Sequence, residues 1–233
     1  MSGKKYLVIN LEGPMQSWGL YSKFDLRSTE TLPTKSGIIG LIAAAFGYSR
    51  NDTKAISKLT VLKMAAICTQ EGQIEMDFQT VGAGYDKIPL PERLLYQLPT
   101  AEGGRKNAVT KRFYLFDYQF KVILWGDDEL IKKCSDALTN PIYGGFLGRK
   151  SCLPSKPLVD GIFDTSIKVI NHLKQTLSSV AQKREKPIRN IDDCRLLCEV
   201  KSGGFLIRDV PTNFQDKNDV VRKVTDEELI LNW

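Results

Sequence analysis

The 233-residue sequence predicts an α+β fold. Three observations carry that prediction. Tyr6-Leu7-Val8-Ile9-Asn10-Leu11 is a strand-like run apolar on both alternating faces, Lys111 to Trp125 alternates apolar and polar with period two, and two stretches carry helix-start signals ahead of an apolar stripe. Hydrophobic residues at 42% and charged residues at 26% are ordinary for a globular chain, which sets aside disordered and fibrous classes.

Taken in order, Tyr6 to Leu11 has the pattern of a strand central in a sheet. Glu12 to Pro33 has no regular period and reads as a loop. Thr34 or Ser36 then serves as N-cap for a compact, Ala-rich helix from Ile38 to Phe46 that stops at Gly47. Val61–Thr69 and Gln73–Thr80 read as the second and third strands. Residues 81–110, with Gly82, Gly84, Pro89, Pro91, Pro99, Gly103 and Gly104, break the pattern, and excursions of that length are usually functional or disordered. Lys111–Trp125 returns as a strand, with Phe116, Tyr118, Phe120, Val122 and Leu124 on one face. Asp127-Asp128-Glu129 favour the N-terminus of a helix striped by Leu130, Ile131, Cys134, Ala137 and Leu138, which Pro141 ends. A glycine-rich loop over 142–152 precedes a strand near Pro157–Phe163. A further helix spans 164–178 with Ile167, Ile170, Leu173 and Leu177 inward, and Arg195–Val200 with Phe205–Ile207 suggest a terminal strand pair. The order β-α-β-β-(insert)-β-α-β has one hairpin more than a ferredoxin-like unit.

No run of 18 apolar residues is present, which excludes a transmembrane helix, and the apolar run after Lys5 is too short for a secretory leader, so we expect a cytoplasmic protein with no membrane partner. Five cysteines without a C-x-x-C pair argue against a disulfide scaffold and a zinc knuckle. The net charge is +6, and residues 1–60 hold eight basic against four acidic residues. That imbalance fits a polyanionic partner, and equally a charge that serves solubility alone.

Catalytic chemistry has little to stand on. His172, the one histidine, lies on the polar side of its helix and reads as a solvated surface residue; a Ser-His-Asp or Cys-His site needs a marked nucleophile, and none is evident. We expect no catalytic residue, no cofactor and no metal.

Three loops carry a different chemistry. Pro33-Thr34-Lys35-Ser36-Gly37-Ile38-Ile39-Gly40 lacks the glycine cradle of a Walker A loop, yet a helix N-terminus with Lys35, Ser36 and a small Gly37 can admit a phosphate. An ordinary capped helix packed through Gly37 and Gly40 is the other reading. Gly144-Gly145-Phe146-Leu147-Gly148-Arg149-Lys150-Ser151 can line a concavity with backbone amides beside two cations. Gln16-Ser17-Trp18 with Arg27 offers a stacking plane and hydrogen bonds, or a core tryptophan that anchors its loop. Together the three lean toward single-stranded nucleic acid.

The motifs Gly13-Pro14-Met15-Gln16-Ser17-Trp18-Gly19, Arg27-x-Thr29, Pro33-Thr34-Lys35-Ser36-Gly37-x-x-Gly40 and Leu147-Gly148-Arg149-Lys150-Ser151-Cys152 resemble, in this order over about residues 5–160, those of the CasD subunit family of the type I-E CRISPR Cascade complex, part of the RAMP superfamily of RNA-binding proteins. Arg208-Asp209-Val210-Pro211 is similar to its C-terminal segment, more weakly. The resemblance implies a ferredoxin-like (RRM-like) RAMP domain over 1–160, an inserted extended β-hairpin thumb at about 81–110, and a smaller C-terminal α/β segment, 161–233, packed on the same domain. It further implies a non-catalytic subunit that holds the 5′ handle of crRNA, caps the backbone-subunit filament, contacts the large subunit and reaches target DNA through the complex. On this reading Lys35, Ser36 and Gly37 with Arg149, Lys150 and Ser151 grip handle phosphates. Trp18 and Gln16 contact or support a splayed base, and Ser17 and Arg27 also belong to the RNA-binding set. Arg105, Lys106, Lys111 and Arg112 guide backbone at the return of the thumb, and Leu94, Leu95 and Tyr96 on the thumb meet a partner subunit. The enzyme alternative is a metal-independent RAMP endoribonuclease acting on repeat RNA, against which the lone His172, outside the motifs, argues. The apolar insert also leads us to expect an isolated chain stabilised by its partners.

Overall fold

A computed structural model describes residues 4–20, 25–81, 100–101, 104–105, 108–184, 191–212, 214, 219–226 and 229. The first strand, β1 (Lys4–Glu12), is buried from Tyr6 to Leu11, as its two-faced apolar pattern requires. It pairs antiparallel with β9 (Gln119–Asp127) along its whole length on one side and with β10 (Val159–Phe163) on the other. On the far side of β9 lies β4 (Lys63–Gln70), again antiparallel. The sheet continues through β11 (Leu196–Glu199), β13 (Asp219–Thr225) and β12 (Phe205–Pro211), giving seven strands in the order β10-β1-β9-β4-β11-β13-β12.

Strand alternation sends Leu7, Ile9, Leu11, Phe120, Val122 and Leu124 to one face, where they pack with Ile38 and Ile42 of α1 (Lys35–Ala45) and Ile131 of α3 (Asp128–Thr139). Tyr6, Val8, Ile123 and Trp125 go to the other face, against Val169, Leu173 and Leu177 of α4 (Ser166–Arg184). Helices on both faces are the reason β1 has no polar side. The sheet runs without interruption from strands before residue 160 to strands after it.

Several expectations are corrected. The alternation of 111–125 is two strands, β8 (Ala108–Phe116) and β9, in different sheets. Asp117 turns the corner at φ 58°, held by its N–H to the Pro14 carbonyl and by the Gln70 side-chain amide on its own carbonyl. The helix α2 (Thr53–Thr60), capped by the Asp52 carboxylate on the Ala55 N–H, has no counterpart among the elements the sequence predicts; only Ile56 and Leu59 are buried, too few to show a period. In α4 Ile167 is 67% exposed and Val169 takes its inward place. β11 and β12 are not neighbours, because β13 runs between them.

The second sheet has β8 at its centre. β2 (Met15–Gln16), β3 (Leu26–Arg27) and β5 (Gln73–Val81) pair with it, β3 in parallel and the others antiparallel. Both short strands fall in the stretch read as an irregular loop. Between β5 and β8 the structure describes only β6 (Thr100–Ala101) paired with β7 (Gly104–Arg105). Leu94, Leu95, Tyr96 and Lys106 lie outside the described residues, as does the side chain of Arg105. Among the described residues no helix is long and apolar enough to cross a membrane.

Candidate nucleic-acid interface

The loop motifs meet in space, and most of their marked side chains are turned inward. Gln16 is fully buried, its amide donating to the carbonyls of Leu11 (3.0 Å) and Tyr118 (2.9 Å). Its Oε1 accepts from the indole Nε1 of Trp18 at 3.1 Å, and Trp18 is 1% exposed. The indole is packed over α1 at Gly37, where a Cβ would stand 2.9 Å from Trp18 Cε3. Gly37 is therefore small to admit a tryptophan rather than a phosphate. Ser17 donates through Oγ to the Phe113 carbonyl at 3.1 Å and through its N–H to the Leu147 carbonyl at 3.0 Å. Gly148, at φ 92°, passes so close that a Cβ would lie 1.7 Å from the Ser17 carbonyl oxygen. One interlocked knot thus joins residues 13–18, the start of α1 and the 147–152 turn.

Lys35 departs furthest from its expected role. It is 2% exposed, and its Nζ is bound to Glu199 Oε2 at 2.9 Å, while Glu199 Oε1 takes Lys63 at 2.8 Å. The Lys35 N–H, which was to face a phosphate, donates to Asp209 Oδ2 at 2.8 Å. Asp209 is itself held by Arg222 through Nε at 2.6 Å and Nη2 at 2.8 Å. Burial pushes the Lys35 ammonium pKa down; Glu199 opposes the shift, and the charges of Arg222 and Lys63 add to it. Thr34, the N-cap, accepts from the Gly37 N–H at 3.2 Å. A phosphate grip by the Lys35 side chain and by this helix end is thereby corrected: both are committed inside the chain. The same holds for base contact by Trp18 and Gln16 and for RNA contact by Ser17, which anchor the loop instead. Ser36 is half-buried, its Oγ 3.4 Å from Thr34 Oγ1.

The remaining cations converge on the small sheet. The parallel register sets Arg27 opposite Arg112 and Leu26 opposite Lys111. Arg149 Nη2 donates to the Arg27 carbonyl at 3.0 Å, and its guanidinium lies 4.7 Å above the ring of Tyr114, two residues beyond Arg112 on the same strand face. Arg27, Lys111, Lys150 and Ser151 are exposed, and Arg112 and Arg149 half-buried. Asp77, opposite Arg112 on β5, tempers this face. Beside the turn, Tyr143 and Phe146 are exposed aromatics flanking Gly144 and Gly145. Sequence reasoning passed over them; the available signal was an aromatic on each side of a glycine pair, outside any helix or strand period.

Elsewhere the reactive side chains are occupied. His172 is not merely solvated: its Nε2 is 2.6 Å from Asp160 Oδ2, which also accepts from Lys121 Nζ at 2.6 Å. Burial pushes the Asp160 carboxyl up, but these two hydrogen bonds outweigh it and hold the group below the usual carboxylate range. All five cysteines are buried thiols outside any disulfide, and burial pushes the thiols of Cys68 and Cys134 up to about 12, far from a nucleophile's range. Among the described residues no cluster of His, Cys, Asp and Glu could hold a metal.

Comparison with known proteins agrees with the motif reading. The family model described as CRISPR-associated protein (Cas_Cas5) matches residues 6–225. The chain is 31% identical over 176 residues to the CRISPR system Cascade subunit CasD of Escherichia coli (strain K12), covering 70% of this chain and 73% of that protein. A chain of a CRISPR RNA-guided surveillance complex superposes with a TM-score of 0.69 at 28% identity, over 94% of this chain and 88% of its own. The crystal structure of a Cas protein follows at 0.64 and 30% identity, over 94% and 92%. The family match over residues 6–225 and the CasD relative show that the chain carrying this knot at Trp18, Gly37 and Gly148 belongs to the Cas5 family of CRISPR-associated proteins.

Proposed function

We propose that the chain is a non-catalytic crRNA-binding subunit of a type I-E Cascade surveillance complex, holding the 5′ handle of crRNA and capping the row of backbone subunits, with target DNA reached through the complex. The observation that carries this reading is the convergence of Arg27, Arg112, Arg149 and Lys150 beside a rigid knot that fixes their loops. Phosphates of the handle lie along Arg27, Lys111, Arg112, Lys150 and Ser151. Tyr143 and Phe146 supply the stacking surface that Trp18 does not. Arg149 holds the Arg27 loop in place as much as it contributes charge.

The strand order β10-β1-β9-β4, antiparallel throughout, supports a ferredoxin-like (RRM-like) RAMP domain in the first 160 residues. The β5–β8 ladder supports a thumb rising from its base at Val81 and Ala108. The 161–233 segment extends the same sheet and closes its second face. Partner contacts to the backbone subunit and the large subunit fall to the thumb with Leu94, Leu95 and Tyr96.

The test is crRNA binding by the full chain, or by its complex, over a salt series. Arg27→Ala with Lys150→Ala is expected to flatten the log–log salt slope by about 1.4, at ~0.7 per lost single-strand phosphate contact. An unchanged slope removes both from the interface. Incubation with labelled repeat RNA in EDTA is expected to leave the RNA intact; cleavage at one site overturns the non-catalytic reading in favour of a metal-independent endoribonuclease.

A further inference from the structure

On the reading of the loop face as an RNA interface, on which this role rests, we propose that Arg149 is a positioning residue: it sets where Arg27 stands against Arg112 and makes no phosphate contact of its own. β3 is two residues long, and its parallel register with β8 places Arg27 directly opposite Arg112. Like charges set opposite one another across strands push apart. Both residues of β3 are exposed, so neither anchors the strand by burial. A pairing this short and this charged needs a tie from elsewhere in the chain.

Arg149 supplies it. Its Nη2 donates to the Arg27 carbonyl at 3.0 Å and to that of Ser28 at 3.4 Å. Its guanidinium stands 4.7 Å above the ring of Tyr114, which is 5% exposed and packed in the large core. The backbone at the end of β3 is thus fastened through one side chain to a buried ring. Ties on either side hold the same stretch: the Asp25 carbonyl accepts from the Lys111 N–H at 2.7 Å, and the Glu30 N–H donates to the Trp18 carbonyl at 2.7 Å. Arg149 takes two carbonyls between them. What remains of its guanidinium suits a phosphate poorly. Nη2 is committed to carbonyls and Nη1 is buried, so the two cannot serve together as the N–H fork by which arginine grips an oxyanion. The Arg27 side chain, by contrast, is exposed.

The experiment is a double-mutant cycle on crRNA affinity of the full chain, or of its complex, read at fixed salt and as a salt slope. Arg149→Lys keeps the charge and removes the fork and the flat stacking surface. It is expected to weaken crRNA about tenfold and to flatten the slope by about 0.7, as Arg27→Ala does, since both lose the same single phosphate contact. In the Arg27→Ala background Arg149→Lys is expected to add nothing. Tyr114→Leu removes the ring beneath the guanidinium while staying apolar; it is expected to weaken binding about threefold and to be silent in that background as well. Hydrogen exchange in the free chain reads the clamp without RNA: Arg149→Lys is expected to lose protection at the Lys111 and Glu30 amides. About a hundredfold loss in the Arg27→Ala, Arg149→Lys double variant, wild-type affinity in Arg149→Lys, or unchanged exchange at those two amides overturns the positioning role and leaves the RNA reading standing. A wild-type chain that binds no crRNA overturns the RNA reading, and the positioning role with it.

Discussion

The seven-stranded and four-stranded sheets share one continuous stretch of chain, joined at Asp117, yet they are opposites in what covers them. The large sheet has helices α1 and α3 on one face and α4 on the other, and its central strands β1 and β9 are buried almost throughout. In the small sheet β5 is exposed along almost its whole length, with Ile74, Met76 and Phe78 on one face and Glu75 and Asp77 on the other. At ~25 cal/mol per Å² of apolar surface removed from water, the first region supplies the stability. β5 contributes little to it, so its side chains are free to serve recognition, whereas Tyr114 and Leu115 of the neighbouring β8 belong to the large core. The cations proposed for crRNA border this uncovered sheet, while the marked residues turned toward the covered one are packing.

That contrast is broken most directly at Trp18, the largest of the buried motif side chains. Trp18→Ala is expected to cost about 3–5 kcal/mol, the range for emptying a large aromatic site, read as a shift in urea midpoint. A loss below ~1 kcal/mol joined to a large loss of RNA affinity would return Trp18 to the binding surface. The next effect belongs to Glu199, which holds both Lys35 and Lys63. Glu199→Gln strands a buried ammonium and is expected to destabilise by about 3 kcal/mol. Lys35→Met, by contrast, is expected to leave crRNA binding unchanged, since that side chain faces Glu199 rather than solvent.

How much of this was legible follows the same division. β1 was readable because burial on both faces leaves an apolar run of strand length. The break at Asp117 was not, because Phe116, Tyr118 and Phe120 keep the same parity on both sides of the corner, so the alternation survives a change of sheet. α2 was missed because two buried side chains show no period. For the site, the motifs located the right loops, but residue type does not say which way a side chain points. Lys35 looks like a phosphate ligand until its partner is known, and that partner lies 164 positions away. Gly37 and Gly148 likewise read as openings for a ligand, whereas their empty space is filled by Trp18 and by the Ser17 carbonyl.

A smaller effect is expected where α4 is tied to the large sheet. Asp160, held low by Lys121 and His172, adds stability that is fully present above the ordinary carboxylate value of 3.8 and is lost as pH falls through the lower folded value. Asp160→Asn should therefore reduce the acid sensitivity of unfolding below that pH, measured as midpoint against pH. A variant whose acid limb matches the wild type would show that the Lys121–Asp160–His172 contact contributes nothing to folding.

The smallest expected change sharpens the comparison most, because it asks whether the small sheet is bare. Phe78 is 55% exposed and stands across from Lys111. If nothing in the chain covers this stripe, Phe78→Ser removes no packing, and stability should move by no more than ~0.5 kcal/mol. Its solvent-facing area remains an apolar patch of the kind that partner proteins cover. A loss of ~2 kcal/mol or more would mean that other residues of the chain close over β5. The small sheet would then be a second core, and the cations along β3 and β8 would border a packed region rather than an open one.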